Sequence, residues 1–115
     1  MNRWFVAVVV GALLLAPRIA LAHAHLVSST PAANATVHGP AVAIELQFNS
    51  RVDGVHSTLE LTTQNGSVTL VRDTQRTATM LNAHARLEPG NYTLKWQALS
   101  TDGHITRGEI PFSVR

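Results

Sequence analysis

The chain has 115 residues, 45% of them hydrophobic and 14% charged, with no cysteine and a formal charge of +2. That is room for one domain with its own core, and it excludes disulfide stapling, thiolate metal sites and thiol catalysis. The positive excess resides in Arg3 and Arg18; the seven later basic residues balance seven acids, so the sequence pI of 9.9 is not the footprint of a nucleic-acid binder.

Residues 1–22 read as a secretory signal peptide. Met1-Asn2-Arg3 is a positive start, Phe5 to Ala16 is apolar apart from Gly11, Pro17 breaks the run, and Ala20-x-Ala22 presents small residues for cleavage. The apolar run, about 12 residues, falls short of the roughly 18–20 that span a bilayer. Cleavage after Ala22 leaves an exported domain of residues 23–115 that begins with His23, has no membrane span and is expected to be a monomer. An uncleaved membrane anchor is the competing reading.

His25 to Ser29 is a short strand signal, and Ala32 to Pro40 reads as loop. Val42, Ile44, Leu46 and Phe48 alternate with smaller or polar residues, the period of a strand with one buried face. Asn49 to His56 reads as a connection, and Ser57 to Thr63 alternates again through Leu59 and Leu61. Asn65-Gly66 is a strong hairpin signal, with Val68 and Leu70 returning. Arg72 to Arg76 is polar, and Thr77 to Leu81 is β-prone. Glu88-Pro89-Gly90-Asn91 has the pattern of a type II turn. Tyr92, Leu94, Trp96 and Ala98 give the longest alternation, and Ile110, Phe112 and Val114 a last strand, where Pro111 asks for an edge or a bulge. About seven short strands without helical spacing predict an all-β fold, a small Greek-key barrel or sandwich.

The chemistry concentrates at two places. His23 behind a cleavage site offers a free α-amine and an imidazole that close a chelate ring on one ion. His25 offers another mode, in which the amine, two deprotonated backbone amides and its imidazole wrap Cu(II) or Ni(II) in a square plane; that mode needs amides free of the sheet. Near the other end, Asp102-Gly103-His104 sets a carboxylate and an imidazole two apart, on one face of an extended chain. Gly103 leaves the approach open, although the same four residues Thr101 to His104 are also turn chemistry. Nitrogen donors with a carboxylate suit Cu(II), Ni(II) or Zn(II), and amine plus two imidazoles in a plane fits Cu(II). His38, His56 and His84 read as solvated or hydrogen-bonded surface residues, and Trp96 as a core aromatic. A Ser-His-Asp arrangement finds no nucleophile motif to support it.

His23-Ala24-His25-Leu26 with Ser29-Thr30-Pro31-Ala32 resembles the CopC family of periplasmic copper-binding proteins, the CopC/PcoC/YobA group. So do Leu46-Gln47-Phe48-Asn49, Leu87 to Tyr92, Trp96 with Ser100 to His104, and finally Gly108 and Phe112-Ser113-Val114. The resemblance implies a cupredoxin-like or Ig-like Greek-key fold and a Cu(II) site joining the N-terminus to the late loop. His23 then supplies amine and imidazole, His104 a second imidazole and Asp102 a carboxylate at longer range. It implies a copper carrier or scavenger in copper resistance or uptake, beside a CopD-type inner-membrane protein. Some members carry a Met-rich loop for Cu(I); here only Met80 lies after residue 22, which predicts a Cu(II)-only member.

Two other classes compete with this binding protein, which is not an enzyme. A terminal histidine chelate with a second imidazole is also the copper arrangement of lytic polysaccharide monooxygenases, but one Trp and one Tyr after residue 22 offer little sugar-stacking surface. A metal-free Ig-like interaction module would leave the two histidine clusters far apart.

Overall fold

The computed structural model describes residues 23–115, so the leader reading lies outside the described residues. Nine strands form: β1 (Leu26–Thr30), β2 (Thr36–Val37), β3 (Ala41–Phe48), β4 (Thr58–Thr63), β5 (Gly66–Val68), β6 (Val71–Arg72), β7 (Met80–Arg86), β8 (Gly90–Leu99) and β9 (Ile105–Val114). They make two sheets, in the order β1-β3-β7-β6 and β2-β9-β8-β4-β5. All pairs are antiparallel except β2 with β9. The chain changes sheet at β1–β2, β2–β3, β3–β4, β5–β6 and β7–β8, the repeated crossing of an Ig-like sandwich.

The alternating residues are the inner faces. Val42, Ile44, Leu46 and Phe48 of β3 meet Leu94, Trp96 and Ala98 of β8 and Ile110, Phe112 and Val114 of β9 in one buried cluster. Each fully buried Leu or Ile contributes about 1.5–3 kcal/mol relative to exposure. Phe48 packs edge-on against Trp96 with ring centroids 5.3 Å apart. Gly108 lies opposite Trp96 on β9, and a Cβ there would come within 2.5 Å of the indole, so only glycine admits the ring. At the β7–β8 crossing the Tyr92 hydroxyl donates to the Glu88 carbonyl at 2.6 Å and pins the corner.

The strands differ from the sequence reading where propensity and partner disagree. Thr77 to Thr79 is a turn, and β7 instead runs on through Asn82-Ala83-His84-Ala85. Those residues have weak β preference, and seven register pairs with β3 impose the strand on them. The alternation through Val68 and Leu70 continues, but the hydrogen bonding changes sheets there and separates β5 from β6. β2 is two residues inside the expected loop, which with β6 accounts for nine strands where about seven were expected. The Asn65-Gly66 hairpin forms with Gln64-Asn65 at its tip, Thr63 pairing with Gly66. Gly90 has φ of 157°, already the first residue of β8 and not the near-+80° of a type II turn. Pro111 interrupts no register with β8, and its carbonyl accepts from Asn34 N at 2.6 Å, outside the paired stretch of β2.

One end of the sandwich gathers distant parts of the chain. Asn49 N, just past β3, donates to His25 O at 3.0 Å, just before β1. Val52 bridges Ser100, and Asp53 N donates to Leu99 O at 2.8 Å, tying the post-β3 segment to the β8–β9 loop.

Candidate metal centre

The β8–β9 loop is built on Ser100. Its side chain is buried, its N donates to His104 O at 2.8 Å, and its hydroxyl lies within hydrogen-bond reach of Asp102 Oδ1 and of His104 O. Gly103 N donates to Ser100 O at 2.9 Å, and Gly103 has φ of 89°, a left-handed angle that favours glycine. Asp102 and His104 therefore converge across a tight turn and not along an extended chain, which corrects the expectation from spacing alone. The turn also gives His104 N to Asp102 Oδ1 at 3.0 Å and sets His104 Nδ1 3.2 Å from Asp102 Oδ2.

These bonds fix the electrostatics. The Asp102 carboxyl is lowered from 3.8 to about 2, chiefly by the Ser100 hydroxyl and then by the His104 amide, although the group remains in contact with solvent. A carboxylate with one oxygen held by two donors is an anion over the whole neutral range, with the other oxygen facing the imidazole.

His23 arrives from the far end of the chain. Its neighbour Ala24 is completely buried, and Ala24 O accepts the Thr106 hydroxyl of β9 at 2.7 Å. His25 N donates to Asn49 Oδ1 at 2.8 Å. Held in this way, the His23 ring stands 4.3 Å from the His104 ring, centroid to centroid, at 76°. Ligand atoms of His23, Asp102 and His104 all lie within 4.8 Å of one another, the one such group of three among the described residues.

The other histidines fall outside it. His25 has its ring exposed and 6.2 Å from the His23 ring, and its backbone is engaged by Asn49 on both N and O. His56 pairs with Asp53 at 2.8 Å and His84 with Asp73 at 2.8 Å, each without a third donor, and His38 is exposed. Ser100, Asn49 and Thr106 carry the geometry of the site. Ser100 and Asn49 stood in the motifs that support the family resemblance, but nothing in spacing or composition gave any of the three a role.

The donor set, two imidazoles and a carboxylate with His104 exposed and His23 half-buried, is chemically suited to a borderline divalent ion of tetragonal preference. A family model for the CopC domain matches residues 26–115, beginning just after His25. The copper transport protein CutJ of Bacillus subtilis is 29% identical over 121 residues, covering 98% of this chain; the chain spans only 22% of that longer relative. Protein YobA of Escherichia coli strain K12 is 37% identical over 99 residues, covering 82% of this chain and 80% of YobA. The crystal structure of PcoC, a methionine-rich copper resistance protein from Escherichia coli, superposes with a TM-score of 0.73 at 27% identity, covering 82% of this chain and all of PcoC.

Proposed function

The chain belongs to the CopC family, and from that premise we propose that it is a periplasmic carrier of Cu(II) in copper resistance or uptake, and not an enzyme. One ion is bound. His23 gives its imidazole and, once the chain is cut after Ala22, its α-amine. His104 gives the second imidazole: with Nδ1 turned to Asp102, Nε2 is the nitrogen offered to the ion. Asp102 supplies negative charge beside the ion and orients His104. The observation that carries this reading is the meeting of His23, Asp102 and His104 donors within 4.8 Å from opposite ends of the sequence.

The choice of Cu(II) over Cu(I) follows from the ligands. Nitrogen and oxygen donors favour the harder ion, and Met80 is the single thioether after residue 22, one soft ligand where a thioether site for Cu(I) needs several. A copper-handling inner-membrane protein of the CopD type is the natural exchange partner, and a monomer suffices for the site, since every donor comes from one chain.

Copper titration followed by EPR, on protein beginning at His23, tests the reading. One equivalent of Cu(II) with a tetragonal, nitrogen-rich signal is expected. Placing one extra residue before His23 removes the amine from the chelate and should weaken binding severely; unchanged binding would overturn the terminal chelate. Peroxide-driven polysaccharide cleavage by the copper-loaded protein would overturn the carrier reading in favour of an oxidative enzyme.

A further inference from the structure

The arm that carries His23 is gripped at a single peptide unit, by both of its polar ends. The Ala24 carbonyl accepts from Thr106 Oγ1 at 2.7 Å, and the His25 amide donates to Asn49 Oδ1 at 2.8 Å. Asn49 then closes a ring by donating its own amide to the His25 carbonyl at 3.0 Å. Asn49 follows β3 in one sheet and Thr106 belongs to β9 in the other, so the two sheets hold this peptide between them. Ala24, in the middle, has no exposed surface.

That peptide is the one a competing chelate needs. A free amine followed by histidine at the third position wraps an ion in a square plane of four nitrogens, two of them the backbone nitrogens of Ala24 and His25. The His25 ring is available for it, exposed and 6.2 Å from the His23 ring. The backbone is not available. The His25 nitrogen faces Asn49 and not the His23 side, and turning it inward would break the Asn49 and Thr106 bonds and lift Ala24 out of the core.

We propose that Asn49 and Thr106 are positioning residues that select the coordination mode and, through it, the metal. By withholding the Ala24–His25 peptide they leave His104 as the only second imidazole and deny Ni(II) the planar backbone chelate on which its tight binding depends. Cu(II) loses less, because amine and two imidazoles already satisfy it. Specificity here is an element set against the wrong complex as well as contacts made to the right one. The inference rests on the metal-site reading above and deepens it from which residues bind to which ion they refuse.

The test uses protein beginning at His23, with Ni(II) alone and Cu(II) alone as probes. The parent should bind Ni(II) weakly and without the diamagnetic square-planar spectrum. The folded double variant Asn49→Ala/Thr106→Val should acquire that spectrum, its Cu(II)-over-Ni(II) preference should fall by about tenfold or more, and its Cu(II) EPR signal should become insensitive to His104→Ala. Asn49→Asp and Thr106→Ser, which keep an acceptor and a hydroxyl, should behave as the parent does; a purely structural role would not tie the Ni(II) spectrum to those two groups. Amide exchange in the metal-free parent supplies a reading even if the double variant fails to fold: the His25 amide should exchange about tenfold or more slowly than in the free N-terminal peptide. Unprotected exchange, a square-planar Ni(II) complex in the parent, or a folded double variant identical to the parent each overturns mode selection. A parent Cu(II) signal indifferent to His104→Ala would instead overturn the site reading itself, so the two failures are distinct.

Discussion

Two carboxylate–histidine turns lie side by side at the same end of the sandwich, linked through the Asp53 N to Leu99 O bond and the Val52–Ser100 bridge. In the first, Asp53 Oδ1 accepts from Val55 N and His56 N while Oδ2 sits 2.8 Å from His56 Nδ1. In the second, Asp102 Oδ1 accepts from Ser100 and His104 N while Oδ2 sits 3.2 Å from His104 Nδ1. The first pair is the tighter, and no third donor joins it among the described residues. The second gains a third because His23 is delivered beside it by a buried Ala24 and two hydrogen bonds. A close His–Asp pair is ordinary turn chemistry; the third donor makes the difference.

Ligand removal should separate the two turns most sharply. His104→Ala is expected to lower Cu(II) affinity by more than the roughly 10–100-fold typical of groups that only support a ligand, whereas His56→Ala should change it by less than about threefold, as read by competitive titration; equal losses would erase the distinction. Asp102→Asn comes next, with a loss of about 10–100-fold, against no measurable loss for Asp53→Asn.

Ser100→Ala is a smaller perturbation. It removes the hydroxyl that holds Asp102, while His104 O keeps its bond from Ser100 N. A loss of about tenfold in affinity is expected, with about 1 kcal/mol of folding stability by urea denaturation. The Asp102 carboxyl should also titrate nearer its ordinary value by NMR, and a titration unmoved by the substitution would remove Ser100 from the account.

The smallest effect is on acid behaviour. Both carboxyls are lowered, Asp53 mainly by the His56 side chain and Asp102 mainly by Ser100, with the larger shift at Asp102. A carboxyl whose folded pKa is depressed favours the fold above its unfolded value near 3.8, and that contribution is lost as pH falls through the folded value, about 2 for Asp102. Asp102 should therefore titrate below Asp53 in the metal-free protein. Asp102 should stay ionised between pH 7 and 4, so any copper release in that range should not track its protonation. A carboxyl midpoint for Asp102 above 4 would contradict the geometry of its turn.

Gly108 marks how much of the fold follows from side-chain patterning. The alternation of Tyr92, Leu94, Trp96 and Ala98 announces β8 and its inner face, and the same period announces β3 and β9. It says nothing of which strand lies opposite, and so nothing of the indole lying where a Gly108 Cβ would be. β7 was half hidden for a related reason: Asn82, Ala83 and Ala85 carry little β preference, and the strand exists because β3 pairs with it along its whole length.

The amino-acid sequence by itself determined the inward faces of the long strands, the Asn-Gly hairpin, the absence of thiolate chemistry and the two places where metal donors collect. Those are local properties, set by side-chain period and residue type over a few positions. That His23 meets His104 was implied by the family resemblance but by no local pattern; the tertiary structure alone decided that Asp102 and His104 converge through a turn and that Asn49 and Thr106 hold the Ala24–His25 peptide between them. Those depend on packing two sheets, which brings together residues far apart along the chain and engages backbone groups that no side-chain pattern records.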